Sequence, residues 1–146
     1  MDGRQPKEIA AAWALTCAAV AAHAAVWALG AFVVAPTGYD ELTATSGTGG
    51  AARQLALSGG VLLLFLAGWL AVGLRMRAGH GWARLVLALI GVGSLLFLAN
   101  DFSMSGTELG LWPLLSAVPD LLAAAVVVPM YLPAARTHFL TRPHGA

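Results

Sequence analysis

A chain of 146 residues that is 59% hydrophobic and only 10% charged is too apolar to fold in water. Soluble domains carry about a quarter charged residues. The net charge of +1 gives no basic surface for nucleic acid, and the single cysteine excludes both an intramolecular disulfide and a cysteine-based zinc site. These quantities predict a single integral membrane domain over residues 1–146, with the lipid bilayer as its solvent.

Four apolar segments, separated by polar stretches, are long enough to cross a bilayer as helices. They cover residues 9–34, 55–74, 82–102 and 111–132, and a span needs about 20 residues. Because backbone groups cannot bond to water inside lipid, the sequence predicts an all-α, four-transmembrane-helix bundle. A cleaved signal peptide ending near Ala24 is the alternative for the first segment, but the apolar run continues well past that residue.

The polar stretches between the spans predict the orientation. Residues 36–53 are rich in Thr, Ser and Gly and are expected to form a loop that is flexible over 43–50. If both termini and the basic turn 75–84 are cytoplasmic, seven of the eight Lys and Arg residues lie inside and Arg53 lies outside. Since basic residues concentrate on the cytoplasmic side, we expect a multi-pass protein of the cell membrane with cytoplasmic N- and C-termini.

The last span contains a carboxylate, Asp120, well inside the bilayer. It lies eight residues after Trp112, about 12 Å along a helix, whereas His23 lies eleven residues before Val34, about 16 Å from the same boundary. A charged group at this depth is costly and has to face the bundle, where it finds a partner. We therefore predict that His23 and Asp120 form an intramembrane polar pair between the first and last spans.

Three residues are expected to support this pair. Thr16 shares the helical face of His23, and Ser116 precedes Asp120 by one turn. Pro119 frees a backbone carbonyl at which water, a cation or a polar partner could be held. The opposite side of the last span is predicted to face lipid through Leu114, Leu115, Val118, Leu122 and Val126.

The role of the pair stays open between three interpretations. The first is a single interhelical hydrogen bond that fixes the register of the bundle, worth about 0.6–2 kcal/mol. The second is a site that handles protons or ions or binds a ligand, and the third is a contact with a second protein. One histidine at mid-membrane depth cannot supply both axial ligands of a haem, and Cys17 lies on another face than His23. We therefore expect neither a metal nor a cofactor.

Basic and aromatic residues border the inner surface at Arg77, Trp82, Arg84 and Arg136. Anchoring of helices at the interface is the simpler interpretation, and a docking surface for a cytoplasmic partner is the alternative. The run Arg77–Arg84 before a span, together with the closing run Pro133–Phe139, resembles small four-helix integral membrane proteins of actinobacteria. The resemblance covers residues 74–139 and implies class and location; because those proteins are largely uncharacterised, it implies no activity.

The sequence contains no paired carboxylates, no activated nucleophile and no glycine-rich phosphate loop, so we do not expect an enzyme. A membrane-embedded enzyme would have to use His23, Asp120, Asn100 and Asp101, and the last two are predicted to cap and end the third span. The leading hypothesis is a non-enzymatic accessory or structural subunit that binds another membrane protein or forms a homo-oligomer. The alternative is an oligomeric small transporter or channel that uses His23 and Asp120.

Overall fold

The computed structural model describes residues 7–105 and 110–132, and this part of the chain is almost entirely helical. Its helices are α1 (Lys7–Phe32), α2 (Gly38–Arg77), α3 (Gly81–Ser105), α4 (Leu111–Ala125) and the short α5 (Val127–Met130). Four segments are long and apolar enough to cross a membrane, namely α1, α2, α3, and α4 together with α5. The predicted all-α fold with four potential membrane spans is thereby confirmed.

The helices form a ring in which each packs against the next and α4 closes on α1. As a result, α1 lies diagonally opposite α3, and α2 lies diagonally opposite α4. The contact between α2 and α3 is the least extensive of the four. We call the end that carries Lys7, Arg77 and Met130 the basic end, and the end that carries Asp40 and Asp101 the acidic end.

Packing differs along the length of the bundle. Most of the largest fully buried side chains lie toward the basic end and include Ile9, Met76, Leu87, Val126 and Met130. Nearer the middle many buried residues are small, as at Ala19, Ala117 and Ala123, beside the larger Leu66 and Trp69 of α2. The basic end is therefore filled mainly by large side chains, whereas further along the bundle small residues allow close approach of the helices.

Glycine lets three tryptophans lie directly against a neighbouring helix. A Cβ atom added at Gly59 or Gly73 would lie 2.9 Å from a ring atom of Trp27 or Trp13, respectively, and one added at Gly30 would lie 3.1 Å from Trp112. The first two contacts join α1 to α2, and the third joins α1 to α4. These positions require glycine because any side chain would push the indole away.

The outer surface is apolar, as lipid contact requires, but its composition differs between helices. α2, α3 and α4 expose large side chains, for example Leu64 and Phe97, which are 77% and 67% exposed. On α1, by contrast, every exposed residue between Glu8 and Ala31 is alanine. We call this surface the alanine face; it consists of Ala10, Ala11, Ala14, Ala18, Ala21, Ala25 and Ala28.

The prediction that residues 36–53 form a loop is wrong for most of that range, because α2 begins at Gly38. The Thr37 hydroxyl oxygen caps the helix by accepting a hydrogen bond from the Asp40 backbone N–H at 3.1 Å. The run 43–50, expected to be flexible, is helical on both sides of Gly47, where a φ of 70° bends the chain. Hydroxyls within this run bond to the helix itself, as Thr45 does to the Glu41 carbonyl at 3.2 Å.

Two further boundaries differ from the sequence-based prediction. α3 continues to Ser105, past the Asn100–Asp101 pair that was expected to end it. The last span is continuous through Pro119 and is interrupted at Val126, three residues before Pro129. Pro129 has no N–H for the Ala125 carbonyl, which accounts for a break there. Val126 is buried rather than lipid-facing. Its N–H still bonds to the Leu122 carbonyl, and it lies seven residues after the buried Pro119, on the same face of the helix.

Gly91 is the position on α3 where substitution should be most damaging. An added Cβ would lie 2.6 Å from Val127 Cγ2 and 3.0 Å from the Ala123 carbonyl oxygen, so Gly91→Ala forces α3 away from the last span. We expect a loss of about 1–3 kcal/mol of stability, measured as thermal or denaturant unfolding in detergent. Gly93→Ala is the matched control because its Cβ would meet no atom within 4 Å. Equal stability of the two variants would contradict the packing described here.

Candidate functional site

His23 of α1 and Asp120 of α4 face each other across the contact between these two helices. Imidazole Nε2 lies 3.7 Å from carboxylate Oδ1, and the side chains are 23% and 16% exposed. Each residue is nine positions from the acidic end of its helix, which is about 14 Å at 1.5 Å per residue. The structure therefore brings together the two residues whose proximity the sequence predicted.

The orientation of the His23 ring is fixed from two sides. Its Nδ1 lies 2.9 Å from the Ala19 carbonyl oxygen, and since a carbonyl can only accept, Nδ1 carries the hydrogen. The Trp69 ring packs against the imidazole edge to face, with the centroids 5.5 Å apart. These contacts direct Nε2, the second ring nitrogen, toward Asp120.

This arrangement allows one proton to be placed on either Nε2 or the carboxylate. An imidazolium facing a carboxylate and a neutral imidazole facing a carboxylic acid contain the same number of protons. Both arrangements have no net charge, so neither leaves an uncompensated charge in lipid, although the ion pair still carries a desolvation cost. The separation of 3.7 Å is longer than an ordinary N–H···O hydrogen bond. It leaves no room for an atom on the line between Nε2 and Oδ1, but a donor in the adjoining cavity can bond to both from one side.

The three predicted supporting residues do not bond to the pair. The Thr16 hydroxyl donates to the Ala12 carbonyl at 2.8 Å, and the Ser116 hydroxyl donates to the Pro113 carbonyl at 2.9 Å. Both hydroxyls thus use their hydrogens within their own helices. Pro119 is buried beside Asp120 and contributes to the packing of α4.

A cavity of about 460 Å³ adjoins the pair and receives residues from all four spans. His23 and Asp120 supply its polar groups, together with the hydroxyl-bearing Ser94 of α3. Phe65 of α2 and Phe97 of α3, which are 54% and 67% exposed on the bundle surface, also line it. The cavity therefore opens toward lipid between α2 and α3, where the helices make their least extensive contact.

Sequence reasoning missed the aromatic residues around the pair. Trp69 contacts both the His23 ring and the Phe65 ring, whose centroid lies 6.1 Å away. The spacing of four residues between Phe65 and Trp69 indicates a shared helical face, but nothing in the sequence places that face opposite His23. The Trp69 indole N–H is buried and has no hydrogen-bond partner among the described residues.

Two of the predicted interfacial arginines contact aromatic rings of this chain. The Arg77 guanidinium lies 5.3 Å from the centroid of the Trp13 ring, and that of Arg84 lies 4.2 Å from the Tyr131 centroid. These contacts are cation–π interactions that connect neighbouring elements at the basic end. Trp82 is half exposed, and Arg136 lies outside the described residues. A docking role for this surface stays a prediction.

Within residues 7–105 and 110–132, no three His, Cys, Asp or Glu side chains are close enough to hold a metal ion. No protein-family profile, curated protein or solved structure matches the chain. The resemblance to actinobacterial membrane proteins therefore stays a prediction. The function has to be argued from the pair, the cavity and the surfaces of the bundle.

The contribution of the pair to stability can be isolated by a double-mutant cycle on His23→Phe and Asp120→Leu. We expect a coupling energy of about 0.6–2 kcal/mol, the range of interhelical polar contacts in membranes, measured by unfolding in detergent. Asp120→Asn should retain most of the stability because an amide N–H can donate to Nε2. Thr16→Val is the control and should not couple to Asp120→Leu. A coupling of zero for the first cycle would show that the contact is energetically neutral.

Proposed function

We propose that this chain is a non-enzymatic, multi-pass protein of the cell membrane that acts as a partner-binding accessory subunit. The observation that carries the proposal is the alanine face of α1. Elsewhere the spans expose leucine, valine and phenylalanine, which suit contact with lipid chains. On α1 every residue in the exposed class between Glu8 and Ala31 is alanine, and small side chains let a second helix backbone approach closely.

The spacing of these alanines matches a helix–helix seam. Ala11, Ala14, Ala18, Ala21 and Ala25 follow one another at alternating intervals of three and four residues. That alternation gives a nearly straight stripe along a helix, as in pairs that cross at about 20°. The partner we infer is therefore a transmembrane helix, supplied by another membrane protein or by a second copy of this chain.

Several polar side chains already bond to or pack on other groups of this chain, which supports a non-enzymatic role. The hydroxyls of Thr16 and Ser116 bond to carbonyls of their own helices. The guanidinium groups of Arg77 and Arg84 lie over aromatic rings. Acid–base catalysis or covalent catalysis needs several polar groups converging on one reacting atom, and in the described part of the chain the cavity offers His23, Asp120 and Ser94.

The proposed orientation places both termini and the basic end in the cytoplasm. It is supported by Lys7, Arg75, Arg77 and Arg84 at the basic end and by Asp40, Glu41 and Asp101 at the other. In a Cys17→Ser background, Thr48→Cys should react with an impermeant maleimide on intact cells. His80→Cys should react only after permeabilisation, and the reverse pattern would exclude this orientation.

An oligomeric small transporter or channel is the second candidate function, and the cavity next to a proton-carrying pair favours it. Four helices are too few to enclose a pathway, so this function requires several copies of the chain. The two candidate functions differ in one measurable respect: only the transporter or channel predicts ion or proton flux in reconstituted vesicles. Flux that Asp120→Ala abolishes would favour the transporter over the accessory subunit.

The proposed partner surface can be tested with bulky substitutions on the alanine face. Ala18→Leu and Ala21→Leu should each reduce association several-fold because the added side chains hold the partner helix away. The measurement is quantitative mass spectrometry of proteins that co-purify in mild detergent, combined with native mass spectrometry of the purified chain. The first readout reports another membrane protein, and the second reports self-association.

Ala67→Leu is the matched control, since Ala67 is also an exposed alanine but lies on α2. It makes the same chemical change on a surface that is expected to face lipid. Ala18→Leu, Ala21→Leu and Ala67→Leu should all have the stability of the wild type, because none of these positions is buried. The alanine face is not a docking surface if Ala18→Leu and Ala21→Leu leave both co-purification and self-association unchanged. The same conclusion follows if Ala67→Leu reduces association as much as they do.

A further inference from the structure

The gap between His23 and Asp120 has a defined chemical character. Because Nδ1 donates to the Ala19 carbonyl, a neutral His23 presents the lone pair of Nε2 toward the carboxylate. Without the shared proton, Nε2 and Oδ1 are two acceptors 3.7 Å apart. A group that bridges them from the cavity side must donate at least two hydrogen bonds and carry one positive charge to offset the carboxylate.

A protonated primary or secondary amine meets both requirements. Its ammonium group has at least two N–H donors, so one can bond to Nε2 and another to the carboxylate. Its charge also replaces that of the displaced proton, so the occupied site has no net charge. A quaternary ammonium carries the charge but has no N–H, and an alcohol donates but leaves the carboxylate uncompensated.

The walls of the cavity indicate the rest of the ligand. Its volume of about 460 Å³ lies within the range of about 300–1,000 Å³ that is typical of small-molecule sites. Phe65, Phe97 and Ile90 provide apolar contact, and aromatic rings close to a cation attract it. Since the opening lies between α2 and α3 on the exposed surface, the ligand has to enter from the bilayer.

We propose that this cavity binds an apolar primary or secondary amine, which enters from lipid between α2 and α3 and exchanges for the proton of the His23–Asp120 pair. In the exchange, one ammonium ion enters the site, and one proton leaves to water. Among the described residues that line the cavity, α2 and α3 contribute no titratable side chain, so His23 and Asp120 are the groups that exchange the proton. The inference does not depend on the alanine face.

The test uses the full-length chain in lipid nanodiscs with phenylbutylamine as the probe. Isothermal titration calorimetry in two buffers of different ionisation enthalpy measures affinity and proton release together, with empty nanodiscs subtracted. We expect about one proton released per amine and, while the pair is protonated, an affinity that falls about tenfold for each unit by which the pH is lowered. Phenylbutanol and the trimethylammonium analogue should bind at least about tenfold more weakly, because each lacks one of the two required features.

Asp120→Asn is the decisive variant and should lose at least about tenfold in amine affinity and all proton release. Asp101→Asn is the matched control: it makes the same change in an exposed acid outside the cavity and should bind as the wild type does. Ala18→Leu should also bind amine normally, which separates this inference from the proposed partner surface.

Equal binding of amine and alcohol, an absence of proton release, or unaltered binding by Asp120→Asn would each overturn the proposed amine site. Amine uptake into vesicles is a separate readout that only the transporter function requires.

Discussion

A carboxylate about 14 Å from the end of an apolar span has to be neutralised, and the structure depends on how this chain achieves that. The solution is local: the first helix packs against the last, and His23 faces Asp120. The Ala19 carbonyl selects which ring nitrogen keeps its hydrogen, so the other nitrogen faces the acid. A proton on either of the two facing groups leaves the pair without net charge. The proposed exchange of that proton for an amine would make the contact a site as well as a structural link.

Close packing explains where the bundle opens. Glycines in contact with tryptophan bring α2 and α4 against α1, and Gly91 brings α3 against the last span. On α2 and α3, Gly60, Gly68 and Gly93 have no neighbouring atom near an added Cβ, so no comparable contact joins these two helices there. At the basic end Ile9, Met76 and Met130 fill the interior. The cavity beside the pair therefore forms at the least extensive interface, away from the end where most of the large core residues lie.

Part of this organisation was predictable because bilayer thickness fixes the length of a span. The same constraint put His23 and Asp120 at similar depths, and the cost of an isolated acid then required them to meet. Hydroxyl partners were not predictable: Thr16 and Ser116 share the correct faces but bond to their own carbonyls. The helix over residues 38–54 was not predictable either, because its polar composition favours a loop. The structure shows the cap at Thr37 and the bend at Gly47 that accompany the helix. The aromatic lining depends on how α2 is rotated about its axis, which a single sequence does not encode.

One helix carries both the alanine face and the histidine, and its geometry keeps the two apart. Ala21 and Ala25 each lie two residues from His23, or about 200° around a helix of 3.6 residues per turn. A partner helix on the alanine face therefore contacts the side of α1 that is turned away from Asp120. The cavity opens between α2 and α3, across the ring from α1. Because neither surface blocks the other, a bound partner and an occupied cavity can coexist, and each can be removed by mutation while the other is retained.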